Sequence, residues 1–359
     1  MSWEKKKFID FILLQRGHDL TKEQIKLGIY PVVTSTSIMG YHNAYKAEGP
    51  GVITGRSGTI GEVQYVEENY WPHNTSLYVK DFKGNYPKFV YYFMKNFGTD
   101  RVKGGSAVPT LNRNNLSGID VYIPDFESQQ RIASVLEKYD DLIENNQKQI
   151  KLLEEAAQRI YREWFVELRF PGYEGMEIVD GMPEGWRKDI LSNVAVLKAG
   201  GDKPNSFSKV RDEKNVIPVF SNGTENEGLY GYTNKATITE NSVTISARGS
   251  VGYTCLRRMP YVPIVRLISV IPYEIDVLYL FLYLKNYKFD SNGAAQQQIT
   301  VPMIREKNVL VPSDEIMYEF DKIVNPIFDE IECLKNKIFK LSEARERLLP
   351  KLMSGELEV

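Results

Sequence analysis

Residues 131–160 read RIASVLEKYDDLIENNQKQIKLLEEAAQRI, thirty positions without Pro or Gly. Alternating steps of four and three place Ile132, Leu136, Tyr139, Ile143, Asn146, Ile150, Leu153, Ala157, Ile160 and Trp164 on one seam, and nine of the ten are apolar. The matching seam lies 188 residues on: Phe320, Val324, Ile327, Ile331, Leu334, Ile338, Leu341, Arg345, Leu348 and Leu352, again nine of ten. At 42% hydrophobic residues, one such seam arises by chance roughly once in 400 trials for a fixed phase. Two in the same phase predict two long helices that pack along their length. Pro326 falls inside the second seam and is expected to kink or break it, with the regular part starting after Ile327.

The offset extends upstream of both helices. Val121, Ile123 and Pro124 in GIDVYIPDFE answer Val309, Val311 and Pro312 in EKNVLVPSDE, each a short strand ended by Pro and an acidic helix start. ITGRSGTIG (53–61) answers ISARGSVG (245–252), and YPVVTSTSIMGY (30–41) answers IPVFSNGTENEG (217–228). The chain therefore reads as a tandem duplication in which each copy is a β-rich globule followed by one long helix. Two copies are too few for a solenoid. The predicted class is α+β: globules at 1–125 and 170–312, helices at 126–169 and 313–359, the helices pairing as an antiparallel coiled coil. A helix of 33 residues spans about 50 Å, so that pairing predicts a spacer with one globule at each end.

Charge and composition narrow the function. The net charge is −2, and residues 1–125 carry 15 Lys+Arg against 12 Asp+Glu, so no block is basic enough to bind nucleic acid by charge alone. Cys255 and Cys333 make no metal spacing, and His18, His42 and His73 are scattered. No GxxxxGK[ST] or nucleophile–His pattern exists, and NPIF (325–328) lies on the helical seam without a glycine-rich cofactor motif. The N-terminal apolar patch is interrupted by Asp10 and lacks a cleavage site. These observations predict a cytoplasmic reader without metal or catalytic centre.

The order of motifs, with WFVELRFPGYEG (164–175) closing the first helix, PEGWRKDILSNVA (183–195) opening the second globule and LLPKLMSGELEV at 348–359, resembles the specificity subunit of type I restriction-modification systems. The resemblance covers essentially the whole length and implies a non-catalytic subunit that serves phage defence. Each globule would be a target-recognition domain reading one half of a bipartite double-stranded DNA site. The helices would set the gap and dock two methyltransferase subunits, which bind S-adenosylmethionine and methylate adenine N6; motor-nuclease subunits would add cleavage. The chain itself would hold no cofactor and no metal. The sequence departs from the family's Glu-Gln pair after the helix-opening proline: it has Glu127-Ser128-Gln129 in the first copy and Glu315-Ile316-Met317 in the second.

Bases are read by polar side chains, Arg on guanine and Asn or Gln on adenine. In the first globule the candidates are Lys103, Thr110, Asn112 and Arg113, with Ser35 and Thr36 in the polar run 34–37. In the second they are Gln296, Gln297, Gln298, Thr300 and Arg305, with Ser221, Asn222 and Thr224 in the matching run. Arg56 with Ser57, and Arg248 with Ser250, sit among glycines that let a phosphate approach backbone N–H groups; a tight hairpin whose Arg pairs with a carboxylate is the equal alternative. For every candidate the competing reading is a solvated loop residue. The competing function is a scaffold whose rod joins two protein-binding globules.

Overall fold

Short β-branched and aromatic runs broken by Gly, Pro and Asn become strands in the computed structural model, which describes residues 2–56, 61–98, 111–179, 181–287, 289 and 298–359. The first copy runs β1 (Trp3–Lys7), α1 (Phe8–Phe11), β2 (Leu13–Arg16), β3 (Tyr30–Val33), β4 (Ile38–His42), β5 (Gly51–Gly55) and β6 (Val63–Val66). It continues β7 (Trp71–Pro72), β8 (Ser76–Asp81), α2 (Pro87–Phe97), α3 (Arg113–Ser117), β9 (Asp120–Pro124) and the long α4 (Phe126–Phe165). A small hairpin, β10 (Ile178–Val179) and β11 (Met182–Pro183), follows. The second copy is β12 (Arg187–Ile190), β13 (Ala195–Ala199), β14 (Ile217–Phe220), β15 (Leu229–Thr233), β16 (Ser242–Ile245), β17 (Thr254–Arg257) and β18 (Val262–Pro263). It ends with β19 (Ile268–Pro272), α5 (Val277–Asn286), α6 (Val301–Arg305), β20 (Asn308–Val311) and the long α7 (Asp314–Ser354).

The sheets repeat strand for strand. The order β2-β8-β5-β6 returns as β13-β19-β16-β17, β4-β3-β7 as β15-β14-β18, and the pair β1-β9 as β12-β20. Even the bulge in the first hairpin, between Val32 and Val33, recurs between Val219 and Phe220. The ladders refine the correspondence read from the sequence. They set the Gly51–Val66 pair on the Ser242–Arg257 pair, which places Arg56 opposite Ala247, one residue short of Arg248.

The described residues form two compact units, 1–147 with 335–359 and 148–334. Each takes half of each long helix, so the helices are not segments apart from the globules. In unit 1, Phe89, Val90, Phe93 and Met94 of α2 share a core with Ile132 and Leu136 of α4 and Leu349 and Leu352 of α7. Arg131 Nε donates to Val359 O at 2.9 Å and Arg345 pairs with Asp140, so the two helices run antiparallel there. In unit 2 the rings of Trp164 and Phe165 meet Phe320 at 5.7 and 4.8 Å, in a core that takes in α5 and the strands β16 and β19. All twenty seam positions are buried or half-buried. No helix among the described residues is long and apolar enough to cross a membrane.

Pro326 does not end the second helix: α7 is continuous from Asp314 to Ser354. The missing hydrogen bond and ring clash cost roughly 3 kcal/mol. Phe320, Val324, Phe328 and Ile331 around it are fully buried and contribute about 2 kcal/mol each, while the proline itself lies on the exposed face. Burial therefore overrides local propensity. Asp125 opens α4: its Oδ1 accepts from Ser128 N at 2.9 Å and its Oδ2 from Ser2 N at 3.1 Å. Those bonds, Ser128's first, hold its carboxyl well below the usual range. Its share of stability is thus present at neutral pH and lost only on strong acidification. Gln129, 3% exposed, donates to Asn85 Oδ1 and Pro124 O and accepts from Tyr86 N; the corresponding Met317 packs as an apolar side chain.

Arg345, the polar intruder in the seam, is explained by its partner. Its guanidinium pairs with Asp140, whose other oxygen accepts from Tyr92 Oη at 2.6 Å, and less than a third of either side chain is exposed. Asp140→Leu should therefore destabilise unit 1 by about 2 kcal/mol, because Arg345 keeps only the neighbouring Glu346 as its anion and the Tyr92 hydroxyl loses its acceptor. Asp140→Leu with Arg345→Leu should recover most of that loss, measured as a double-mutant cycle in urea.

Candidate nucleic-acid interface

In each copy three connections converge at one end of the paired sheets. In unit 1 the β3–β4 turn, 34–37, is closed by Thr34: its Oγ1 donates to Ser37 O at 2.8 Å and accepts from Ser37 N at 3.2 Å. Gln64 Nε2 donates to Thr34 O at 2.8 Å and ties the turn to β6. Thr36 is exposed and Ser35 half-buried at its tip. Arg56, just past β5, donates from its N–H to Thr75 O at 2.9 Å, and its own carbonyl accepts from Leu111 N at 2.8 Å. The chain leading into α3 is thereby stitched to the same end.

The side chains sort into committed and available. Arg56 is half-buried and its Nη1 donates to Asn74 O at 3.2 Å. It has a backbone partner where the sequence suggested a carboxylate or a phosphate. Asn112 caps α3, accepting from Asn114 N at 3.0 Å, and Arg113 beside it is exposed. Ser57, Lys103 and Thr110 lie outside the described residues.

Unit 2 repeats the arrangement with a longer loop. Phe220 pairs with Leu229, so residues 221–228 connect β14 to β15 where 34–37 suffice in the first copy. Ser221 N donates to Gly228 O at 2.8 Å. Asn222 is occupied on both sides: Nδ2 donates to Val265 O and Oδ1 accepts from Ala247 N, each at 2.7 Å. It positions the loop: its amide is bonded within the unit on both sides. The exposed residues of this loop are Thr224, Glu225 and Asn226, of which the sequence reading weighed only the first.

Beyond β16, Gly252 N donates to Ser246 O at 2.9 Å and Tyr253 N to Ser250 O at 3.0 Å, forming a turn that leaves Arg248 half-buried and Ser250 exposed. Ile299 N donates to Ala247 O at 2.9 Å, the counterpart of the Leu111–Arg56 bond. It brings the half-buried Gln298 and Thr300 to this end; Thr300 opens α6 without a side-chain cap bond. Gln296 and Gln297 lie outside the described residues. Arg305, in the last turn of α6, pairs with Glu306 at 3.1 Å, and among the described residues no hydrogen bond joins it to these loops.

One cation here escaped the sequence reading. Val265 and Arg266 hold φ of 54° and 61° at the turn that Asn222 grips, and both are exposed. Arg266 lies in the apolar run VPIVRLIS (262–269), so the residue read as part of a strand. Only the left-handed turn shows that its side chain is outside. Among the described residues no metal-binding cluster of His, Cys, Asp and Glu occurs. The arrangement offers hydroxyls, amides and a few cations on loops held by a rigid double sheet, the chemistry of reading an anionic polymer by its edges.

The type I restriction modification DNA specificity domain family matches the chain twice, at residues 2–155 and 183–342. A candidate type I specificity subunit of Mycoplasma pneumoniae is 28% identical over 351 residues, covering 95% of this chain and 93% of its own. A type I restriction enzyme specificity subunit of Methanocaldococcus jannaschii is 26% identical, with 98% and 84% covered. Among solved structures, the S subunit of a type I restriction-modification system from M. genitalium shares the fold with a TM-score of 0.63 at 16% identity, covering 98% of this chain and 96% of that one.

Proposed function

The chain belongs to the family of type I restriction modification DNA specificity domains, and we propose that each of its two copies reads one half of a two-part DNA site. The observation that carries this reading is the duplication itself: two β-rich units with the same sheet order present the same three connections. A DNA-specificity role replaces the scaffold alternative, since both copies match the DNA-specificity family.

On this proposal α4 and α7 pair as an antiparallel coiled coil along their length. Asp140 meets Arg345 in unit 1 and Trp164 meets Phe320 in unit 2, so numbers rise on one helix as they fall on the other. A 40-residue helix is about 60 Å long, which suits a ruler between half-sites. The exposed faces of the helices would dock two methyltransferase subunits, and motor-nuclease subunits would join them. S-adenosylmethionine would belong to the methyltransferase partner, adenine N6 would be its target, and this chain would take no part in the bond-making. A cytoplasmic location follows from that role.

A net charge of −2 gives the isolated chain little phosphate attraction, so its DNA affinity should be micromolar or weaker at physiological salt. Assembly with the cognate methyltransferase subunits should tighten binding to a cognate duplex by about 10³ or more, measured by fluorescence anisotropy. Equal affinity for cognate and scrambled duplexes in the assembled complex would remove the reading.

A further inference from the structure

We propose that Arg257 is a positioning residue that sets the base preference of unit 2 by clamping the 221–228 loop. This rests on the reading of unit 2 as a DNA-reading domain. Arg257 is 3% exposed although it carries a guanidinium. Its Nε donates to Thr244 Oγ1 at 3.1 Å, Nη2 to the carbonyl oxygen of Glu227 at 2.6 Å, and Nη1 meets Glu227 Oε2 at 3.5 Å. The same group lies 3.6 Å from the ring centre of Phe220, so the planar fork is stacked and bonded at once.

What it holds is an unfavourable backbone. Asn226 and Glu227 are consecutive non-glycine residues at φ 45° and 55°, a left-handed conformation that L side chains rarely adopt without outside support. The clamp acts on the second of them, and Asn222 fixes the other end of the loop through Ala247 and Val265. Between these anchors Thr224, Glu225 and Asn226 face outward. A loop held in one conformation avoids the ordering cost of binding and presents its polar atoms in a fixed pattern.

The first copy provides an internal control. The ladders set Phe220, Thr244 and Arg257 on Val33, Ile53 and Val66, and those three share one apolar cluster. There the hairpin turn has four residues and Thr34 closes it, so no clamp is needed. A buried cation has replaced an apolar contact in the copy with the eight-residue loop, where its bonds go to that loop. Core packing alone would be served by the apolar set, since a buried charge costs desolvation.

The test uses the full chain assembled with its methyltransferase subunits and reads the adenines methylated across a genome. Thr244→Ile with Arg257→Val installs the first copy's apolar pair. It is expected to keep a cooperative melt within a few degrees of wild type. Its preference at one or more positions of the second half-site should fall about tenfold, the scale of one lost base contact, with the first half-site unchanged. Glu227→Pro, which cannot hold a positive φ and leaves Arg257 in place, should relax the same half and decides the matter if the double variant does not fold. Unchanged preference at both half-sites in a folded variant of either kind would overturn the proposal. A wild-type complex that methylates no two-part motif would instead remove the DNA-reading premise, and the clamp's role with it.

Discussion

Replacing Phe165 by alanine is expected to destabilise unit 2 by about 4 kcal/mol, the range for deleting a buried aromatic ring from a core. Phe165 is 6% exposed and closes α4. Its ring lies 4.7 Å from Tyr279, 4.8 Å from Phe320, 5.5 Å from Tyr161 and 5.8 Å from Trp186. Those partners come from α5, α7, α4 itself and the segment before β12, so a single cavity loosens four elements together. Amide exchange in α5 and β19 should quicken by roughly 10³, the equilibrium factor equivalent to 4 kcal/mol. Protection that stays at wild-type values in α5 would mean that the aromatic cluster is not the junction holding this unit together.

Much of that junction was legible beforehand. The seam positions and the strands before each helix follow from periodicity and turn residues, because burial of one face imposes its period on the sequence. The duplication was legible for the same reason: both copies bury the same faces. What sequence could not supply was direction and partnership. Pro326 looks like a breaker until the four buried side chains around it are known. Asn222 and Thr224 look equally available, yet one is bonded on both sides of its amide and the other is exposed. Arg257 and Arg266 sit in strand-like text, and only the three-dimensional turn separates a buried clamp from an outward cation. The one-residue slip between Arg56 and Arg248 has the same origin: the last ladder pairs, Thr54–Val63 and Ile245–Thr254, enclose connections of equal length, so the copies align by ladder and not by letter.

Arg248→Ala with Arg266→Ala in the assembled complex should weaken DNA binding about 100-fold at low salt, the loss of two charge-assisted hydrogen bonds. Both cations lie at the loop end of unit 2 and neither makes an ion pair among the described residues. If they hold phosphates, the slope of log affinity against log salt should become shallower by about 1.8, or 0.9 for each contact, and all sequences should suffer alike. Relaxed preference at one base pair with little change in slope would make one of them a base reader. An unchanged affinity and slope would remove this end of unit 2 from the interface.

The most direct measurement is the map of N6-methyladenine laid down by the chain co-expressed with its cognate methyltransferase subunits in a host that lacks adenine methylation. The account predicts one motif in two separated parts, with the unread gap constant across all sites. It further predicts that changing Thr36 and Arg113 to alanine relaxes one part, and changing Thr224 and Asn226 relaxes the other. A motif in one undivided block, or methylation that both sets of changes alter at the same positions, would contradict the assignment of one half-site to each copy.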